Sequence, residues 1–268
     1  TMSTSIKQLE EILGVMLVQR GSRFQGFTPE GERTLDWARR IVGDFRAMRQ
    51  EINSLKDKLS GELRIAAVPT VLGMVAALTT PFRARHPEVR FRIVSCTSAE
   101  VLGLLENLEV DAGLTYIENE PLGKVRTIPL YNENYRLLTS PDGMFGDRDQ
   151  VTWKEVGQVP LCLLTPDMQN RRIIDRSLRS AGVEVMPTLT SNSLLVLYTH
   201  VKTGRWASVM PAKLAETLGL ADKVRSIPIV DPVVNYSIGM VIPQRDPMTP
   251  LIAALVQIAR EVAPSLQN

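Results

Sequence analysis

The chain has 268 residues, 44% hydrophobic and 22% charged, with a net charge of +2. This is globular material rather than a disordered tail, long enough for two compact units and a connector. No apolar run approaches the roughly twenty residues that cross a bilayer, and Cys96 and Cys162, far apart in apolar surroundings, suit buried thiols of a cytoplasmic protein better than a disulfide or redox pair.

Residues 1 to 60 hold ten Lys or Arg against eight Asp or Glu, and the remainder is balanced, so the whole excess lies at the N-terminal end. So small an excess does not by itself argue for nucleic acid. The pattern does more. Ile6, Leu9, Ile12 and Leu13 recur at helical spacing, with Ser3, Thr4, Ser5, Lys7 and Gln8 as short polar or cationic groups near the helix start. Gly14 marks its end, Arg20 to Arg23 form a basic turn, and Thr28 with Pro29 caps a second helix. This is the layout with which a winged helix-turn-helix presents a helix to duplex DNA. Lys7, Ser3 and Thr4 are placed to reach base edges, and Arg20 and Arg23 to hold phosphates. The motif lacks a full first helix, so the chain reads as a fragment short of about thirty residues.

From Pro29 the sequence stays helix-compatible to about Leu59, with Ala38, Val42, Phe45, Met48, Ile52, Leu55 and Leu59 stepping by three or four. That is the seam of a helix that pairs with another copy. Ser60 and Gly61 break it. Strand-like and helical runs then alternate: strand Glu62–Val68, helix Val71–Arg85, strand Val89–Ser95, helix Ala99–Leu108, strand Asp111–Tyr116. A second series follows, with strands at Pro160–Leu164, Met186–Thr190 and Ala207–Met210 and helices at Arg171–Ala181 and Leu194–Lys202. Strand-like runs at Val224–Ile229 and Tyr236–Ile242 and a last helix, Pro250–Val262, close the chain. The alternation predicts an α/β fold of βαβ units on parallel sheets, in two lobes. The chain would cross between them near Asn132 and again near Ser237 or Ile238, leaving a ligand cleft at the strand ends.

Hydroxyl residues stand where those strands end. Pro69 and Thr70 follow the first strand, Thr97 and Ser98 the second, and Thr115 ends the third; Thr165 and Asn170 precede a helix of the second lobe. Several such caps aimed into one cleft describe a pocket for a small anion, provided Asp167 points away, with Arg171 and Arg172 as sources of positive potential. His86 and His200 stand in no metal-ligand or triad spacing, and neither GxGxxG nor GxxxxGK[ST] occurs, so no enzyme, metal site or cofactor is expected.

In this order the segments LysGlnLeuGluGluIleLeuGly, LeuValGlnArg, PheThrProGluGly, GlyGluLeuArgIleAla, PheArgAlaArgHisProGluValArg and ValLysThrGlyArgTrpAlaSerValMetPro resemble the LysR-type transcriptional regulators over essentially the whole chain. The resemblance implies a partial winged helix-turn-helix over 1–28 and a dimerising linker helix over 29–60. It also implies a periplasmic-binding-protein-like effector domain, with lobe I over 61–132 and 238–268 and lobe II over 133–237. Operator DNA, a small anionic effector and a dimer of dimers would be the partners. Met168 and Gln169 join the effector residues through this likeness, which extends to relatives that accompany formate-oxidation genes and so makes formate or a similar small acid the expected effector. Thr4 and Ser5 depart from the Arg and Gln common in the family, Val18 from Phe, and Leu108 from Gly. The competing reading is a solute-binding protein with no DNA role, which would have no need of the first sixty residues.

Overall fold

The computed structural model describes residues 2–19, 21, 24–54, 58–118, 120–219 and 223–267, which form two compact units, Thr1–Lys56 and Asp57–Asn268. In the first, α1 (Met2–Leu13) ends at Gly14, whose φ of +69° is the left-handed conformation that glycine adopts without strain. Glu10 is the buried residue of this helix. Its carboxylate accepts the backbone N–H of Leu17 at 2.7 Å and of Val18 at 3.2 Å, anchoring the chain that leaves the helix. Val18 bridges Phe27 in a minimal antiparallel wing.

Thr28 then does two things. Its hydroxyl accepts the N–H of Gly31 at 3.0 Å, capping α2 (Pro29–Ser54), and donates to the Met16 carbonyl at 2.5 Å. Gly31 packs so tightly that a Cβ there would sit 2.0 Å from the Leu17 carbonyl oxygen, which explains ThrProGluGly without appeal to DNA. Along the 26 residues of α2, Trp37, Ile41, Phe45, Met48 and Ile52 form an exposed apolar stripe, with Val42 beside it. This corrects the predicted seam at Leu59, which lies beyond the helix and packs on the core of the second unit; Leu55 falls outside the described residues.

The second unit carries the alternation seen in the sequence. Its first sheet has the order β2-β1-β3-β11-β4, built from β1 (Gly61–Ala67), β2 (Val89–Ser95), β3 (Ala112–Tyr116), β4 (Val125–Glu133) and β11 (Tyr236–Pro243). β1 is parallel to both its neighbours, whereas β11 runs antiparallel to β3 and β4. The sheet is therefore mixed where a parallel one was expected, because β11 re-enters from the other lobe. Pro69–Met74 forms a tight 3-10 turn before α3 (Val75–Arg85), so the helix expected from Val71 starts later; α4 (Ser98–Glu106) and α9 (Pro250–Leu266) cover the sheet with it.

The second lobe repeats the plan. β5 (Tyr135–Thr139) lies antiparallel to β9 (Ser208–Pro211) and β10 (Arg225–Val230), with β6 (Val151–Thr152) parallel at the far edge. β7 (Cys162–Leu164) pairs in parallel with β8 (Leu189–Ser191), and a bridge between Leu161 and Ala207 joins this pair towards β9. The order β8-β7-β9-β5-β10 thus matches β2-β1-β3-β11-β4 strand for strand. Short α5 (Trp153–Val156) and α8 (Ala212–Thr217), with α6 (Gln169–Ser180) and α7 (Leu194–Val201), complete it. One buried apolar core runs from Leu63 and Phe82 to Trp153 and Ile173, and a second lies under α7 around Leu138, Cys162 and Leu197. The chain passes between the sheets at Asn134 and again through 231–235.

Candidate functional site

The N-terminal candidates Ser3, Thr4 and Lys7 are spaced three and four residues apart on α1 and all three are exposed. Ser3 and Lys7, four residues apart, share one side of the helix with Thr4 at its edge, and Glu10, further along that same side, is buried and fixes the turn behind it. Arg20 and Arg23 lie outside the described residues.

In the second unit a cavity of about 590 Å³ opens beyond the carboxyl ends of β1 and β2 and faces loops of the other lobe. Pro69, Leu72, Ser95, Cys96, Thr97 and Glu100 line it from one side, and Asp167, Met168 and Asn192 to Leu195 from the other. It stands where open α/β sheets bind ligands. Thr97 closes a capping box: its hydroxyl accepts from Glu100 N at 3.2 Å, and the Glu100 carboxylate accepts from Thr97 N at 2.8 Å. The Cys96 thiol is pushed up to about 11, by burial first and by the Glu100 charge second, and burial pushes the Cys162 thiol up to about 11 as well. Both are protonated and poorly nucleophilic at neutral pH.

Of the expected effector residues, Pro69, Thr97 and Met168 line this cavity. Others are engaged in holding the lobes together. The Thr70 hydroxyl lies 3.4 Å from the Tyr116 phenol, whose oxygen is 3.2 Å from that of Tyr135; Asn170 Nδ2 donates to both, at 3.3 and 3.5 Å. Gln169 donates to the Glu118 carbonyl at 3.4 Å, and Ser98 accepts from Arg172 at 3.4 Å. Thr115 and Thr165 each bury a hydroxyl oxygen that has no hydrogen-bond partner.

The charge expected of the cleft also needs correction. Asp167 is among the residues lining the cavity, and so is Glu100, whose carboxylate accepts from Thr97 N. Arg172 is held in a forked pair with Glu120, both contacts at 2.8 Å, and donates to the Asp167 carbonyl at 2.6 Å. Arg171 is buried against Asp175 at 2.8 Å and the Leu164 carbonyl at 2.9 Å. Neither arginine is among the residues lining the cavity.

Sequence reasoning passed over Tyr116, Tyr135 and Glu133, which meet where the chain crosses between lobes. The Glu133 carboxyl is buried with both oxygens unpartnered, and burial raises it well above the ordinary carboxylate range. The available signal was a run of polar and aromatic residues, TyrAsnGluAsnTyr at 131–135, at the expected crossing.

Comparisons with known proteins bear on the family and the fold. The family model described as the LysR substrate binding domain matches residues 56–264. A probable nitrogen assimilation transcriptional activator of Synechococcus elongatus is 26% identical over 97% of this chain and 85% of its own length. The dual regulator OxyR of Escherichia coli is 24% identical over 98% of this chain and 85% of its own. Among solved structures, a full-length OxyR variant from Pseudomonas aeruginosa superposes with a TM-score of 0.77 at 21% identity, covering 98% of this chain and 86% of that one. CbnR in complex with its target DNA gives 0.67 at 18% identity, covering 97% and 89%. No helix among the described residues is long and apolar enough to cross a membrane.

Proposed function

The chain belongs to the LysR-type transcriptional regulators, and from that premise we propose that it binds operator DNA through α1, self-associates through α2, and reads a small molecule in the cleft between its lobes. The observation that carries this reading is the occurrence, in one chain, of an exposed polar helix face, a long helix with an unpartnered apolar stripe, and a substrate-binding unit with a cavity of about 590 Å³. The assembly would be a dimer of dimers acting in the cytoplasm, and Arg20 and Arg23 would add phosphate contacts. A solute-binding protein is not favoured, since the matched regulators span nearly the whole chain, α1 and α2 included.

Lys7→Ala is expected to weaken operator binding by about tenfold, the lower part of the 1–3 kcal/mol range for a base-edge contact. A gel shift with the upstream intergenic DNA at fixed salt measures it. An unchanged affinity removes Lys7 from the interface.

For the effector, the cavity argues against formate on two grounds. A three-heavy-atom anion would leave most of about 590 Å³ unfilled, and the charged residues that line the cavity, Glu100 and Asp167, are both acidic with no Lys or Arg among the described lining residues. We therefore favour a larger polar ligand bearing donor or amine groups. In a thermal-shift titration, an amine such as putrescine should raise the melting temperature more than formate does, because a ligand of the folded form stabilises by mass action. Stabilisation by formate that vanishes in Thr97→Ala would restore the anion instead.

A further inference from the structure

The buried acid at the crossing is not needed by either reading of the effector. Glu133 is the last residue of β4, one step before the chain passes to the second lobe, and it is 1% exposed. Both carboxyl oxygens are inaccessible and have no hydrogen-bond partner. The titratable groups around it are phenols: Tyr116 from β3, Tyr131 from its own strand and Tyr135 from β5. Tyr236, its partner across the β4–β11 pairing, packs edge-on against the rings of Tyr116 and Tyr135. The α6 and β1 sides contribute the uncharged Asn170 and Thr70. Burial is the dominant influence on the carboxyl; the Tyr116 phenol, close by but outside hydrogen-bond geometry, offsets part of it, and no cation among the described residues does. An ionised carboxylate in that position would have neither water nor a counter-charge.

The same phenols tie the lobes. Tyr116 of the first sheet is held to Tyr135 and Asn170 of the second lobe, so any parting of the lobes that separates these groups lets water reach Glu133. We propose that Glu133 is a neutral carboxylic acid while the lobes are joined and gives up its proton when they part, so that lobe closure is linked to the uptake of one proton. Closed, the group holds its proton well above the range where an open, hydrated carboxyl loses it. Rising pH therefore favours the open form, by tenfold in the open-to-closed ratio per pH unit between the two ranges, whichever effector the cavity takes. The device is the one expected of a buried acid at a two-state joint.

Two measurements on the whole chain test it. Infrared spectroscopy at pH 7 should show a protonated-carboxyl band that is lost in Glu133→Gln. Hydrogen exchange of Ala112–Tyr116 and Tyr135–Thr139, corrected for intrinsic rates, should report opening that rises with pH, by up to about tenfold per unit, in the native protein and stays flat in the variant. Should Glu133→Gln not fold, Asn170→Ala serves, and its opening should be larger than the native at every pH while keeping the rise with pH. Absence of the band in the native protein, or equal slopes in native and Glu133→Gln, overturns the proposal.

Discussion

Replacing Phe45 with aspartate is expected to convert the protein to a monomer and to weaken operator binding by at least about 100-fold. The expectation rests on α2, where Trp37 is 62% exposed, Ile41 64%, Phe45 55%, Met48 47% and Ile52 51%, on successive turns of one face. A helix of 26 residues, about 39 Å long, does not leave such a stripe in water unless something covers it. Under the proposed self-association a second copy would cover it with the same stripe, as two-fold pairing requires. A charge in the middle of that seam would be desolvated without a partner. Loss of pairing also removes the avidity of two recognition helices on one operator, a factor of 10²–10⁴ for linked sites. Sedimentation velocity and a gel shift on the same preparation check both halves. A variant that remains dimeric, or a monomer that binds with native affinity, refutes the role of the stripe.

Asp111→Ala should cost about 3 kcal/mol and lower the melting temperature of the two-lobe unit by roughly 6–12 °C. Asp111 Oδ2 accepts the Arg64 backbone N–H at 2.8 Å and its Nε at 3.1 Å, while Oδ1 accepts Nη2 at 2.7 Å. The side chains are only 18% and 14% exposed, so removing the acid leaves a guanidinium and a backbone N–H poorly hydrated at the base of β1 and β3. In the native chain the hydrogen bonds to Asp111 raise the affinity of Arg64 for its proton, and without the acid a guanidinium still stays charged at neutral pH, so it cannot escape by deprotonating. Calorimetry on the native and variant chains decides it. A loss under about 1 kcal/mol would mean that the pair behaves as a solvated surface bridge.

The sequence carried the order of most elements, for identifiable reasons, but passed over β4, β5, β6, α5 and α8. Period-two apolar runs with Gly or Pro at their ends, such as Gly61–Ala67 and Tyr236–Pro243, are strands in the structure, and the break at Ser60 and Gly61 does end the linker. What periodicity could not give was strand direction. Whether β11 lies parallel or antiparallel depends on where the chain has been since β4, which is a property of the whole path. The cleft's position followed from strand ends, but its chemistry did not. Thr70 and Asn170 look like caps in sequence, yet tyrosines 46 and 35 or more residues away claim their polar groups. Arg171 and Arg172 look like cleft cations, yet Asp175 and Glu120 neutralise them. Glu133 gave no sign of burial, because an acid in a short polar run reads as a loop until the second sheet closes over it.

The second lobe is an excursion inserted between β4 and β11, strands that are hydrogen-bonded to each other in the first sheet from Tyr236 paired with Glu133 to Pro243 paired with Val125. Tension applied between residue 58 and the C-terminal helix therefore loads the first sheet alone, with β4 and β11 acting as a clasp that shields everything between them. In an optical trap the first sheet should rip before the inserted lobe feels any force, and the two ruptures should always come in that order. A regulator tethered to DNA at one end would thus transmit strain into its inserted lobe only after its first sheet had failed.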